Sequence, residues 1–163
     1  MCCVPTLPAR FARATATIST EGLAAQTEFR LSPRGPGLTE FTQPVRYWVT
    51  DTAPPGPSLL TLFLRHTSAS LLIQENADPD VQRDLAAFFD RLVPPSDDSS
   101  MSYLRHTSEG PDDMPAHIKA AMMPVSLQIP VIDGALQLGT WQGIYLFEHR
   151  TRPRSRTVAA HLG

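Results

Sequence analysis

The side chains best suited to chemistry in this sequence are the imidazoles of His66, His106, His117 and His149 and a set of carboxylates near them in the chain. Imidazole titrates close to neutrality and is the commonest metal ligand, so its placement decides what a small domain can do. Ligand-capable groups are densest from His106 to His117, a stretch that also holds Glu109, Asp112 and Asp113. If a helix opens near Asp113, then Asp113 and His117 fall four residues apart on one face, and His106 approaches from the preceding loop. His66 ends an apolar strand, with Thr67 and Ser68 beside it as candidate ligand-binding hydroxyls. Together His66, His106 and His117 with a carboxylate suffice for Zn²⁺ or a similar divalent ion with one position open to water. A plainer reading uses the same residues, with Asp112 and Asp113 capping a helix, His117 in water and His66 satisfied by a backbone carbonyl. Spacing alone leaves both open.

Other groups extend the candidate site. Glu75 follows an apolar strand and is suited to act as a general base or to orient a histidine, or it is simply a loop carboxylate. Arg150, Arg152, Arg154 and Arg156 form a basic run whose forked guanidinium groups match phosphate, although such runs are more often solvated surface. Trp141 and Gln142 follow a glycine turn; the tryptophan either stacks on a ligand ring or, the commoner outcome, packs in a core or subunit contact. The tetrapeptide Arg-His-Thr-Ser occurs at 65–68 and again at 105–108, but its flanks differ, so no duplicated unit follows.

The elements that must position these groups are short, because proline and glycine punctuate the chain at 33–37, 54–57, 94–95 and 110–111. Segments 26–31, 58–65, 69–74, 126–131, 135–138, 143–148 and 156–161 are rich in β-branched, leucine or aromatic residues and read as strands. Three helices interrupt them. Thr42 is suited to cap the first, with Val45, Trp48 and Val49 on one face. Asp78 and Pro79 open the second, with Val81, Leu85, Phe88 or Phe89 and Leu92 along its apolar side before Pro94. The third starts near Asp113 and stops at Pro124. Strands in runs with helices between them indicate a single strand-rich α+β domain, mostly antiparallel, over residues 25–163. Residues 1–24 read as a variable extension or first strand.

Composition narrows the function classes. The 163 residues suit one domain. Fourteen basic against sixteen acidic residues give a net charge of -2, which argues against a nucleic-acid partner. The only cysteines, Cys2 and Cys3, are adjacent and build no disulfide framework, so a reducing, cytoplasmic setting is expected. The first twenty residues are basic and rich in Ala, Thr and Ser, with a loose transit-peptide character but no apolar core of a secretion signal. No apolar run reaches the roughly 20 residues of a spanning helix, so no membrane partner is expected. Glycine-rich phosphate loops, zinc-ribbon cysteines, His-Glu-x-x-His and nucleophile elbows are all missing.

The stretch from Ser126 through Pro130, Gly134 and Gly139-Thr140-Trp141-Gln142 to Ile144 resembles the signature of the YjbQ family, often labelled secondary thiamine-phosphate synthase. Thr39 to Thr42, His66 to Asp80 and Asp112 to Lys119 resemble family blocks in the same order, so the likeness runs from about Thr27 to the C-terminus. The resemblance implies a strand-rich α+β fold, a homotrimer with its histidine blocks facing a cleft near subunit contacts, and weak thiamine-phosphate synthase activity. That reaction joins hydroxymethylpyrimidine diphosphate to thiazole phosphate and releases pyrophosphate. Carried over onto matching blocks are His66, Glu75, His106, Asp113, His117, Trp141, Gln142 and Glu148. In the mechanism expected from them, the three histidines hold a Zn²⁺ or Mg²⁺ ion, Glu75 or Asp113 orients them, and Lys119 with Arg154 meets phosphate oxygens. Rival expectations are a metal-dependent hydrolase of a small phosphorylated or acylated metabolite, or a non-catalytic oligomeric module that binds a small anion.

Overall fold

Along Ala25–Leu31 and Arg156–Leu162 every second side chain is buried, and apart from Thr27 and Arg156 the buried ones are apolar. That period of two is what a sheet with one covered face requires. A computed structural model describes residues 17–18, 24–152 and 154–163. In chain order the elements are β1 (Thr17–Ile18), β2 (Ala25–Leu31), β3 (Gly37–Glu40), α1 (Thr42–Thr52), β4 (Pro57–Leu64), β5 (Ala69–Glu75), α2 (Pro79–Leu92), α3 (Asp113–Met122), β6 (Ser126–Ile132), β7 (Ala135–Leu136), β8 (Gln142–Glu148) and β9 (Arg156–Leu162). A single 3-10 turn, Ser99–Met101, lies between α2 and α3.

Two antiparallel sheets result. One has the order β1-β2-β9-β4-β6-β7 and the other β3-β8-β5. Their inward residues share one apolar cluster: Leu60, Leu62 and Leu64 of β4, Val158, Ala160 and Leu162 of β9, Leu71 of β5 and Ile144 and Leu146 of β8. Val45, Trp48 and Val49 of α1 close that cluster, as their spacing predicts. Asp133 and Gly134 both have positive φ, at 47° and 75°, which lets a two-residue turn reverse β6 into β7. The fold is the expected α+β class.

Several local expectations change. Thr42 does not cap α1: Phe41 holds the cap position, and the Thr42 hydroxyl donates to Glu40 Oε1 at 2.6 Å while accepting the Ile144 N–H at 2.8 Å. Thr42 therefore ties the helix start to β8. Asp78 caps α2 as expected, accepting the Asp80 N–H at 2.8 Å. The apolar side of α2 is only partly covered, however, with Phe88 and Leu92 exposed and Phe89 set edge-on to Phe147 at 5.8 Å. β3 was hidden by the surrounding glycines and prolines, and it forms because β8 supplies its ladder. Of residues 1–24, Thr17–Ile18 pairs with β2, and the remainder of that expectation and the transit-like composition lie outside the described residues, Ala24 excepted.

Candidate functional site

The site is built on α3. Asp113 opens the helix and is 3% exposed, and His117 stands one turn later on the same face. Behind the helix the chain is pinned twice: Pro124 C=O accepts the Leu71 N–H and Val125 C=O accepts the Leu64 N–H, each at 2.8 Å. α3 packs on β5. These bonds fix the helix against the point where β4 passes into β5. There the Thr67 carbonyl accepts a hydrogen bond from His117 Nδ1 at 3.0 Å. A carbonyl can only accept, so Nδ1 carries a proton and, in the neutral ring, Nε2 presents a bare lone pair.

That lone pair faces a carboxylate. His117 Nε2 lies 3.5 Å from Asp113 Oδ2, and His106 Nε2 lies 2.9 Å from the same oxygen. The ligand atoms of His106, Asp113 and His117 all fall within 4.8 Å of one another. Donors on a tetrahedral ion with bonds of about 2.0–2.1 Å sit about 3.3 Å apart, and the two distances bracket that value. The other carboxylate oxygen of Asp113 is paired with Arg150, which also donates from Nε to Asp112 Oδ2 at 3.1 Å and from a terminal nitrogen to Glu109 C=O at 3.1 Å. Asp113 is thus aimed by Arg150 while Oδ2 is left for the imidazoles.

Asp112 does not cap α3 with its side chain. Its Oδ2 accepts the Thr151 N–H at 2.9 Å and the Thr151 hydroxyl at 3.0 Å. Burial opposes its ionisation, but these donors and Arg150 outweigh burial and hold the pKa below the ordinary aspartate value. Thr151 is the contributor that the sequence does not point to, and Arg150, named there as a phosphate-binding candidate, instead turns inward to Asp112 and Asp113. The signal was present in the charge of the Arg150–Arg156 run, but nothing in its spacing said which arginine turns inward.

The third expected imidazole does not join. His66 Nε2 accepts the Thr157 N–H at 2.8 Å, where β4 leaves β9 and the ring replaces the next ladder bond. Its lone pair is committed, and the group whose atoms could hold an ion consists of His106, Asp113 and His117 without it. Burial first, then the Arg156 and Arg65 charges, push the His66 pKa down against an opposing Glu148.

The remaining candidates fall into separate places. Glu148 is 0% exposed and bidentate to Arg156, with contacts of 2.7 and 2.6 Å, and it also accepts the backbone N–H groups of His149 and Arg150. It is a structural ion pair closed off from ligand. Glu75, at the far end of β5, is six residue steps from Ala69, roughly 20 Å along the strand. Gln142 is the register partner of Glu75 and accepts the Gly139 N–H at 2.8 Å. Trp141 beside it is 63% exposed, so it packs in no core of this chain. These three form their own group, away from Thr67 and His117. Lys119 is 7% exposed and donates to Asp90 Oδ1 at 2.6 Å, whereas Arg154 is exposed. Thr67 contributes its carbonyl, and the Ser68 carbonyl accepts a long 3.5 Å bond from Arg156.

His149 belongs to the buried group. Its Nε2 lies 2.9 Å from Ser70 Oγ, and its Nδ1 has no hydrogen-bond partner among the described residues. Burial, then the Lys119 and Arg156 charges, lower its pKa to about 3. It is a neutral ring at working pH.

No helix among the described residues is long and apolar enough to cross a membrane. The family model described as UPF0047 protein YjbQ-like matches residues 27–163. A UPF0047 protein of Synechocystis is 58% identical over 104 residues, 64% of this chain and 68% of that protein. The Escherichia coli UPF0047 protein YjbQ is 42% identical over 137 residues, 84% of this chain and 96% of that one. Among solved structures, a conserved YjbQ/UPF0047 protein from Clostridium acetobutylicum superposes with a TM-score of 0.68 at 35% identity, covering 82% of this chain and 96% of that one. A hypothetical protein from Aeropyrum pernix gives 0.71 at 27% identity, with 83% and 95% covered. A match over nearly the whole described chain, in sequence and in fold, makes this protein a member of the YjbQ-like UPF0047 family.

Proposed function

We propose that the chain binds one divalent ion, Zn²⁺ before Mg²⁺, through His106 Nε2, Asp113 Oδ2 and His117 Nε2, and uses it as a Lewis acid on a small phosphorylated metabolite. One observation carries this reading: the Thr67 carbonyl fixes the His117 proton on Nδ1, so two electron-pair donors, Nε2 and Asp113 Oδ2, face each other 3.5 Å apart. Such a pair is favourable only with a cation between them, either a second proton or a metal. The convergence of His106 on the same oxygen, which gives a three-donor N₂O set with room for a fourth ligand, favours the metal. Two imidazoles and one carboxylate suit Zn²⁺ better than Mg²⁺, which takes mostly oxygen.

The reaction that fits the family resemblance is thiamine-phosphate synthesis. A thiazole nitrogen attacks the pyrimidine methylene carbon, that carbon's bond to oxygen breaks, and pyrophosphate leaves with the electron pair. The ion's chemistry would be to neutralise charge on the departing oxygen. This chain's part is to hold the ion and aim its ligands. The cations expected to grip phosphate contribute less than the sequence suggests, because Lys119 is engaged with Asp90. The trimer implied by the resemblance and a cytoplasmic location complete the proposal.

The test is direct. Chelator-treated protein titrated with Zn²⁺ by calorimetry takes up one ion per chain, and His117→Ala does not. Metal-loaded protein given the two substrates then forms thiamine phosphate and pyrophosphate. Inorganic phosphate released without coupling would replace the synthase with a hydrolase, absence of turnover with ligand binding would leave an anion-binding module, and absence of metal uptake would remove the ion. Light scattering measures the trimer.

A further inference from the structure

α3 does not end at the ion cluster. A helix rises about 5 Å per turn, so the face that carries Asp113 and His117 presents Ala120 and Ala121 one turn further on. Those alanines and Val125 form one wall of a cavity of about 450 Å³, and the end of β4 with the residues after it, Phe63 to Thr67, forms the other. The lining is mostly carbon. The space exists because α3 carries methyl groups where longer side chains would reach β4.

Two residues join this cavity to the ion cluster. His117 lines the cavity and also presents Nε2 to Asp113, while Thr67, on the facing wall, holds the His117 ring by its carbonyl. A guest in the cavity would lie against the ring that ligates the ion, one helical turn away. His66 also lines the space, with Nε2 engaged by Thr157 and its ring proton therefore on Nδ1. The volume falls within the range of small-molecule sites, which are usually apolar cavities with few polar groups.

We infer that this cavity is the subsite for the apolar, ring-sized body of the substrate whose anionic group binds the ion. The inference rests on the ion reading and adds the substrate class: an anion joined within about one helical turn to a planar or compact hydrocarbon-like group.

Methylphosphonate and phenylphosphonate offer the ion the same anionic group and differ in the ring. Full-length protein loaded with Co²⁺, which reports its ligands by visible absorption, is titrated with each. Phenylphosphonate is expected to bind at least about tenfold tighter. In Ala121→Trp, placed at an exposed helical position so that the fold tolerates it, the preference should collapse to about twofold or less while methylphosphonate affinity stays unchanged. Ala121→Leu gives an intermediate preference and guards against a misfolded tryptophan variant. Equal affinities in the wild type, or a ring preference that survives both substitutions, would overturn the subsite while leaving the ion in place. Failure of Co²⁺ to bind would overturn both.

Discussion

Two clusters in this molecule use the same chemical alphabet, an acid, an arginine and a histidine, and reach opposite states. Glu148, Arg156 and His149 are each at most 5% exposed, and the acid and the arginine satisfy one another. Asp113 is equally buried and equally paired with an arginine, yet its second oxygen is hydrogen-bonded to His106 and faces His117, whose side chains are 44% and 36% exposed. A closed charge pair contributes order, whereas a carboxylate oxygen shared by two imidazoles at a partly open surface is the arrangement the proposed ion would use. Residue type does not separate the two clusters; what separates them is that one is closed off from solvent and the other includes partly exposed imidazoles.

The largest effect that would break this contrast is in the closed cluster. Glu148→Gln leaves the Arg156 charge buried without its counter-ion and should cost about 3–5 kcal/mol in urea unfolding. A loss under about 1 kcal/mol would mean that water reaches the pair. Next comes pH. His149 titrates near 6.5 when unfolded and about 3 when folded. The unfolded chain therefore binds the extra proton, so stability is full above about pH 6.5 and falls as pH drops toward 3, by about 3 kcal/mol at pH 4. His149→Phe should flatten that slope in denaturation curves at stepped pH; an unchanged slope would assign the loss elsewhere.

In the open cluster the effect should appear in ligand affinity rather than stability. His117→Ala should lower Zn²⁺ affinity by about a hundredfold or more while changing unfolding free energy by less than about 1 kcal/mol. The smallest effect sharpens the line between the clusters. His66→Gln keeps an acceptor for the Thr157 N–H and should leave Zn²⁺ affinity within about twofold. A large fall would put His66 on the ion after all.

The twice-used Arg-His-Thr-Ser shows how far sequence could go. At 65–68 it lies where two strands part, so His66 substitutes for a ladder bond and Thr67 offers a carbonyl. At 105–108 it lies in a loop before a helix, so His106 is free to lean on Asp113. Identical residues met different backbones. The i, i+4 pair on α3 was legible because its geometry is local, and the strands were legible from their alternation. The inward turn of Arg150, the pairing of Glu148 with Arg156 across a connection, and the distance of Glu75 from His117 all depend on strand register, which periodicity does not supply. β3 escaped for the same reason, since its ladder belongs to β8.

The His106, Asp113 and His117 donors come from a stretch of about a dozen residues, so gathering them costs little chain entropy once α3 is docked. The sheets and their apolar cluster owe nothing to that stretch. On the proposed ion reading, occupancy and folding would therefore be uncoupled: chelator-treated protein would keep its fold, and an ion added back would be taken up without passage through an unfolded chain.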